Sequence, residues 1–115
     1  MLITVLETPE YLKRGKKLFK EKELSAIVFY LSSHPKAGEI IVGTGGIRKL
    51  RWAISGKGKR GGVRIIYYYH NVEIPLVLLT VFSKNEKANL NMAERNELKT
   101  LVKQYSKQFK KRKTI

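Results

Sequence analysis

Apolar residues in this chain keep two different rhythms, and the rhythm changes along its length. The opening stretch LITVLE (Leu2–Glu7) is short and β-branched, and predicts a strand. Thr8 follows as a helix N-cap and Pro9 as a first helical residue. They predict a helix to about Lys20, with Tyr11, Leu12, Leu18 and Phe19 on its apolar side and Gly15 weakening it. A second helix is better marked. Leu24, Ile27, Val28 and Leu31 recur at i, i+3, i+4 and i+7, a single apolar face. SSHP ends it, because the residue before Pro35 is pushed out of helical space.

From Glu39 the rhythm shortens to two. Gly43, Gly45 and Gly46 form a turn-rich lead-in to a strand over Ile47–Ile54. Alternation there sets Lys49 and Arg51 on one face, with Leu50 and Trp52 on the other. A glycine-rich loop covers 55–62. Val63–His70 is again a strand, with Arg64, Ile66, Tyr68 and His70 on one face and Val63, Ile65, Tyr67 and Tyr69 on the other. After a turn at 71–74, Pro75 suits the start of the strand LVLLTVFSK, whose nearly continuous apolar character predicts a central place. Asn91 and Glu94 form a capping box ahead of a last helix carrying Leu98, Leu101, Val102, Tyr105 and Phe109.

The predicted order is β-α-α-β-β-β-α, an α+β domain over residues 1–115. Its simplest packing is a curved, mostly antiparallel sheet on the two N-terminal helices, with 110–115 as a basic tail. Leu50, Trp52, Leu78 and Val81 are expected in the core.

Composition adds a partner to this picture. Of 115 residues, 24 are Lys or Arg and 9 are Asp or Glu, a formal net charge of +15 that favours a polyanion. There are no cysteines, which removes thiolate metal sites, disulfides and thiol nucleophiles. No apolar run reaches membrane-spanning length, and the N-terminus lacks the basic start and long apolar core of a signal peptide. A soluble cytoplasmic protein is expected.

The charge is concentrated. Between Glu39 and Glu73 there is no acidic residue, while Arg48, Lys49, Arg51, Lys57, Lys59, Arg60 and Arg64 all fall in that window. Such a cluster on a folded sheet is costly unless an anion neutralises it. Tyr67, Tyr68 and Tyr69 adjoin it, and basic groups interleaved with aromatics suit single-stranded RNA. The competing reading is a solvated basic face with core tyrosines. Neither GTGG (43–46) nor GKGKRGG (56–62) is a P-loop, so each is a plain turn or a loop offering N–H groups and lysines to a polymer backbone.

His34 and His70 lie far apart in sequence, no histidine–carboxylate metal spacing occurs, and the serines lack an evident base. No metal and no cofactor are expected, and any catalysis falls to Lys, Arg or Tyr. RNA permits this. Its 2′-OH is an internal nucleophile, cations can stabilise the phosphorane as charge builds, and a lysine crowded by other cations can serve as base.

Three segments then carry a resemblance: PKAGEIIVGTGGIRKLR, GKGKRGGVRIIYYY and LLTVFSKNE. Together, over about Glu23–Leu101, they resemble the HigB branch of the RelE-type toxins of bacterial toxin–antitoxin pairs. The resemblance implies the RelE-type fold and a metal-independent mRNA endonuclease that cuts translated mRNA in the ribosomal A site. It further implies a helix-turn-helix antitoxin (HigA-like) as partner and catalysis by basic residues on the concave sheet. Carried over by position, Arg64 is expected to hold transition-state charge. Arg51 or Lys49 would orient the phosphate or act as base, and Lys84 would be the proton donor. Lys57, Lys59, Arg60, Arg48 and Lys87 are assigned to RNA or ribosome contact. Some relatives have an arginine where this chain has Asn85 and a tyrosine near Asn91, and Tyr68 is the replacement candidate. Two other functions compete: a gyrase poison, as in the ParE branch, and a non-catalytic RNA-binding module.

Overall fold

A computed structural model describes residues 2–54 and 62–113, with side chains as far as Phe109. Along the chain run β1 (Val5–Glu7), α1 (Pro9–Leu18), α2 (Glu21–Ser33), β2 (Glu39–Ile40), β3 (Ile47–Trp52), β4 (Val63–Tyr68), β5 (Leu76–Ser83) and α3 (Met92–Lys113). The strands form one five-stranded sheet in the order β1-β5-β4-β3-β2. All neighbours are antiparallel except β1 and β5, which pair in parallel from Val5 opposite Leu76. The expected order holds, with one addition. The two-residue β2 forms an edge beside β3, too short for a hydrophobic pattern to reveal.

The larger difference is a core on each face of the sheet. On one face Val63, Ile65 and Tyr67 of β4, with Leu76, Leu78 and Val81 of β5, pack under Tyr11, Phe19, Leu24, Ile27 and Leu31 of the helical pair. Leu50 and Trp52 join this side, as alternation predicts. On the other, Ile47, Ile66, Tyr68, Val77, Leu79 and Phe82 meet Leu90 and α3, through Leu98, Leu101, Val102 and Tyr105. β4 and β5 are therefore apolar on both sides. Each fully buried Ile or Leu contributes roughly 1.5–3 kcal/mol.

Side-chain hydrogen bonds fix the joints. The Thr8 hydroxyl accepts from Tyr11 N at 3.2 Å, capping α1, and donates to Leu78 O at 2.8 Å. Leu78 lies at a register shift. Ile66 stands opposite Thr80 and Tyr67 opposite Leu78, so Leu79 is the extra residue of a β-bulge in β5. Tyr67 Oη accepts from Gly38 N at 2.8 Å and donates to Pro35 O at 2.9 Å, anchoring the segment between α2 and β2. Asn91 and Glu94 form the expected reciprocal box: Glu94 N donates to Asn91 Oδ1 at 2.8 Å and Asn91 N to Glu94 Oε1 at 3.0 Å. Glu94 also pairs with Lys87, whose ammonium lies 5.0 Å over the Phe82 ring. Arg14 bridges Glu10 at 2.7 Å and Glu86 at 2.9 Å, tying α1 to the turn after β5. No helix among the described residues is long and apolar enough to cross a membrane.

Candidate active site

The α3 side of the sheet is covered unevenly. Helix α3 lies over the row from Ile47 to Tyr68 to Val77 and leaves the far ends of β3 and β4 open. At that end a cleft of about 330 Å³ is lined by Arg51, Trp52, Ala53, Gly62, Arg64 and Lys84. Three separate strands place its cations. Arg51 of β3 is the direct cross-strand partner of Arg64 in β4, and Arg64 is in turn opposite Phe82 in β5. Lys84 immediately follows β5, and its N–H donates to Gly62 O at 3.2 Å, holding the rim.

Among the described residues no carboxylate lines this cleft. Arg64 is half-buried and makes one long contact, Nη1 to Val63 O at 3.5 Å. Arg51 and Lys84 are exposed and engage no other described residue through their side chains. Two guanidinium groups and an ammonium thus line one cleft, with no side-chain hydrogen bond among the described residues beyond that long contact of Arg64. Guanidinium forks match the paired oxygens of a phosphate. The arrangement can grip one phosphodiester from two sides and oppose the charge that grows on it.

The other expected residues separate. Lys49 stands one alternation before Arg51 on the same face, about 7 Å along β3, and its Nζ donates to Asn89 Oδ1 at 3.0 Å. It borders the cleft without lining it. Asn89 is forty residues away in sequence, and nothing in its local pattern marks it. Tyr68 is 9% exposed beneath α3, in a different groove with Thr44 and Lys103. Arg48 projects to the opposite face, where its Nη1 donates to Gly38 O at 2.7 Å and Lys36 O at 3.3 Å. Its place is thus that of a clamp on the segment before β2, away from the cleft. Lys87 is engaged with Glu94 and Phe82. Lys57, Lys59 and Arg60 lie outside the described residues. Trp52, read as core, both packs on the helical side and forms a cleft wall.

The histidines stay apart. His34 stacks on Tyr30, ring centroids 4.7 Å apart, at the end of α2, and the exposed His70 lies parallel to Tyr68 at 6.4 Å. Among the described residues no three His, Asp or Glu are grouped to hold a metal.

The sheet order, the helical pair on one face and the single helix on the other define a class, a small α+β fold with a mixed five-stranded sheet covered on both faces. Escherichia coli toxin RelE in the free state, solved as a double arginine-to-alanine mutant, superposes with a TM-score of 0.56 at 16% identity, over 76% of this chain and 88% of that one. The sequence supplies the family. The chain belongs to the RelE toxin family: the family described as the RelE toxin of the RelE/RelB toxin–antitoxin system matches residues 38–114, from the segment before β2 through α3.

Proposed function

We propose that this chain is a ribosome-dependent mRNA endoribonuclease of the HigB kind, the toxin of a pair whose antitoxin carries a helix-turn-helix. The observation that carries the reading is the convergence of Arg51, Arg64 and Lys84 in one carboxylate-free cleft. A cleft of that composition suits a phosphodiester in RNA, which brings its own nucleophile.

The reaction is a transesterification. The 2′-oxygen bonds to the adjacent phosphorus, the P–O5′ bond breaks, and the products are a 2′,3′-cyclic phosphate and a 5′-hydroxyl. Arg64 and Arg51 hold the non-bridging oxygens as charge accumulates. Lys84, just past the end of β5 at the rim, gives its proton to the departing 5′-oxygen. A guanidinium keeps its proton at any ordinary pH. Acceptance of the 2′-proton is assigned to Lys49, which borders the cleft and is steadied by Asn89. Orientation supplies much of the acceleration, because nucleophile and electrophile are already joined. With so few groups in the site, the ribosome is the natural agent to bend the mRNA into line, so that cutting follows translation.

The test is mapping of RNA 5′ ends after induction in growing cells. New ends within translated reading frames, absent when translation of the same transcript is blocked, are the expected result. DNA breaks without new RNA ends would point to gyrase, and RNA retained but uncut would point to a binding module.

A further inference from the structure

A second basic groove opens on the same sheet face, at the end remote from the cleft. It encloses about 340 Å³ between α3 and the 43–46 turn, with Tyr68 as its floor, Thr44 and Gly45 on one wall, and Lys99, Lys103 and Lys107 on the other. The three lysines recur every fourth residue and so form one ridge along α3, each step rising about 6 Å. That step is close to the spacing of phosphates in an extended strand. Like charges four apart on a helix repel. No carboxylate pairs with any of the three among the described residues.

The facing wall is built, not loose. Thr44 is buried, and its hydroxyl donates to Ile41 O at 2.6 Å and accepts from Ile47 N at 3.2 Å. Gly43, Gly45 and Gly46 take φ values of 78°, 74° and 116°, a path that excludes most side chains. A Cβ on Gly46 would come within 3.3 Å of the Tyr68 ring, so the turn rests on the floor of the groove. At Gly45 nothing would stand within 4 Å of such an atom, leaving its backbone open to an oxygen lining up with the lysines.

We propose that this groove holds the sugar-phosphate backbone of the same RNA strand, a short run of nucleotides from the bond cut in the Arg51–Arg64–Lys84 cleft. The inference rests on RNA being the substrate. Tyr68 and Arg64 lie on one strand and one face, four residues or about 13 Å apart, so a strand of a few nucleotides passing beside α3 is long enough to span groove and cleft. A periodic cationic ridge fits a backbone of evenly spaced charges.

The experiment is fluorescence anisotropy of the purified chain with a short fluorescein-labelled 2′-O-methyl RNA oligonucleotide, which cannot be cut, at salt from about 50 to 200 mM. Lys99→Gln/Lys103→Gln/Lys107→Gln is expected to lose about two units of the log–log salt slope, near 0.7 per contact, and at least tenfold in affinity. Lys103→Gln alone should lose about 0.7 of a unit, which guards against misfolding of the triple variant. Arg64→Ala, in the other cleft, should lose no more than one unit. Unchanged slope and affinity in the triple variant would overturn the proposal, as would salt-independent binding by the parent chain. A triple variant that keeps RNA but loses a polyglutamate peptide would also overturn it, assigning the groove to an acidic protein. The probe needs neither cleavage nor ribosomes, so a chain that binds through this ridge yet never cuts mRNA would refute the nuclease alone.

Discussion

Arg51 and Arg64 stand directly opposite each other in adjacent antiparallel strands, two like charges at a position where cross-strand side chains come closest to contact. Among the described residues no carboxylate shares their cleft. The pair raises the energy of the free protein, and the conflict is relieved when an anion sits between them. On the proposed function, stability is given up at the place where the substrate's charge arrives.

Arg51→Ser should therefore stabilise the free protein by about 0.5 kcal/mol at low ionic strength while weakening cleavage. Urea titrations at two salt concentrations check it. The gain should shrink as salt screens the parent pair, and a destabilised variant would remove the argument.

Arg64→Ala should lower single-turnover cleavage of translated mRNA by about 100-fold or more, with a melting temperature no lower than the parent's. The strand is already held by Val63 and Ile65, both fully buried. A folded variant with full toxicity would end the proposed role.

Thr8→Val should cost about 2 kcal/mol by chemical denaturation. One hydroxyl caps α1 and also bonds the carbonyl at the β5 bulge, so both are lost together.

Gly38→Ala should destabilise by about 1–3 kcal/mol, read from a thermal melt. The new Cβ would fall 2.9 Å from the Tyr67 ring and hydroxyl and 3.0 Å from the Lys49 carbonyl, and a buried tyrosine and a strand backbone have little room to yield.

Lys87, and then the Asn91 N–H, hold the Glu94 carboxyl below its ordinary value of 4.5. A carboxyl depressed on folding contributes stability that is present above that value and is lost as pH falls through the lower folded one. Glu94→Gln should thus flatten this part of the acid limb of the stability profile, and an acid limb identical to the parent's would refute the linkage.

Legibility in the sequence followed the range of the interactions. Thr8 with Pro9, the Leu24–Leu31 stripe and the Asn91–Glu94 box are local patterns, and all three form as their spacing predicts. Alternation in β3 and β4 placed Arg51 and Arg64 on one face, but it could not say which strands would be neighbours. Lys84 reaches the cleft only because β5 pairs with β4. Arg48 belongs to the same basic run, yet parity sends it to the other face. Tyr68 has the right parity and is nonetheless covered, because the landing place of α3 is set by two-sided burial of β4 and β5. The Lys49–Asn89 bond is a tertiary meeting with no local signature.

The parallel pairing of β1 with β5 also bears on how the molecule is made. Val5 has no strand partner until Leu76 exists, and the oxygen that caps α1 is completed by a carbonyl from the same late strand. Such long-range closure delays folding until most of the chain has been synthesised. The cleft is completed late as well, since Lys84 lies beyond β5. On the proposed function, a nascent copy on its own ribosome would lack a complete cleft for most of its synthesis, and an antitoxin would have that interval in which to be ready.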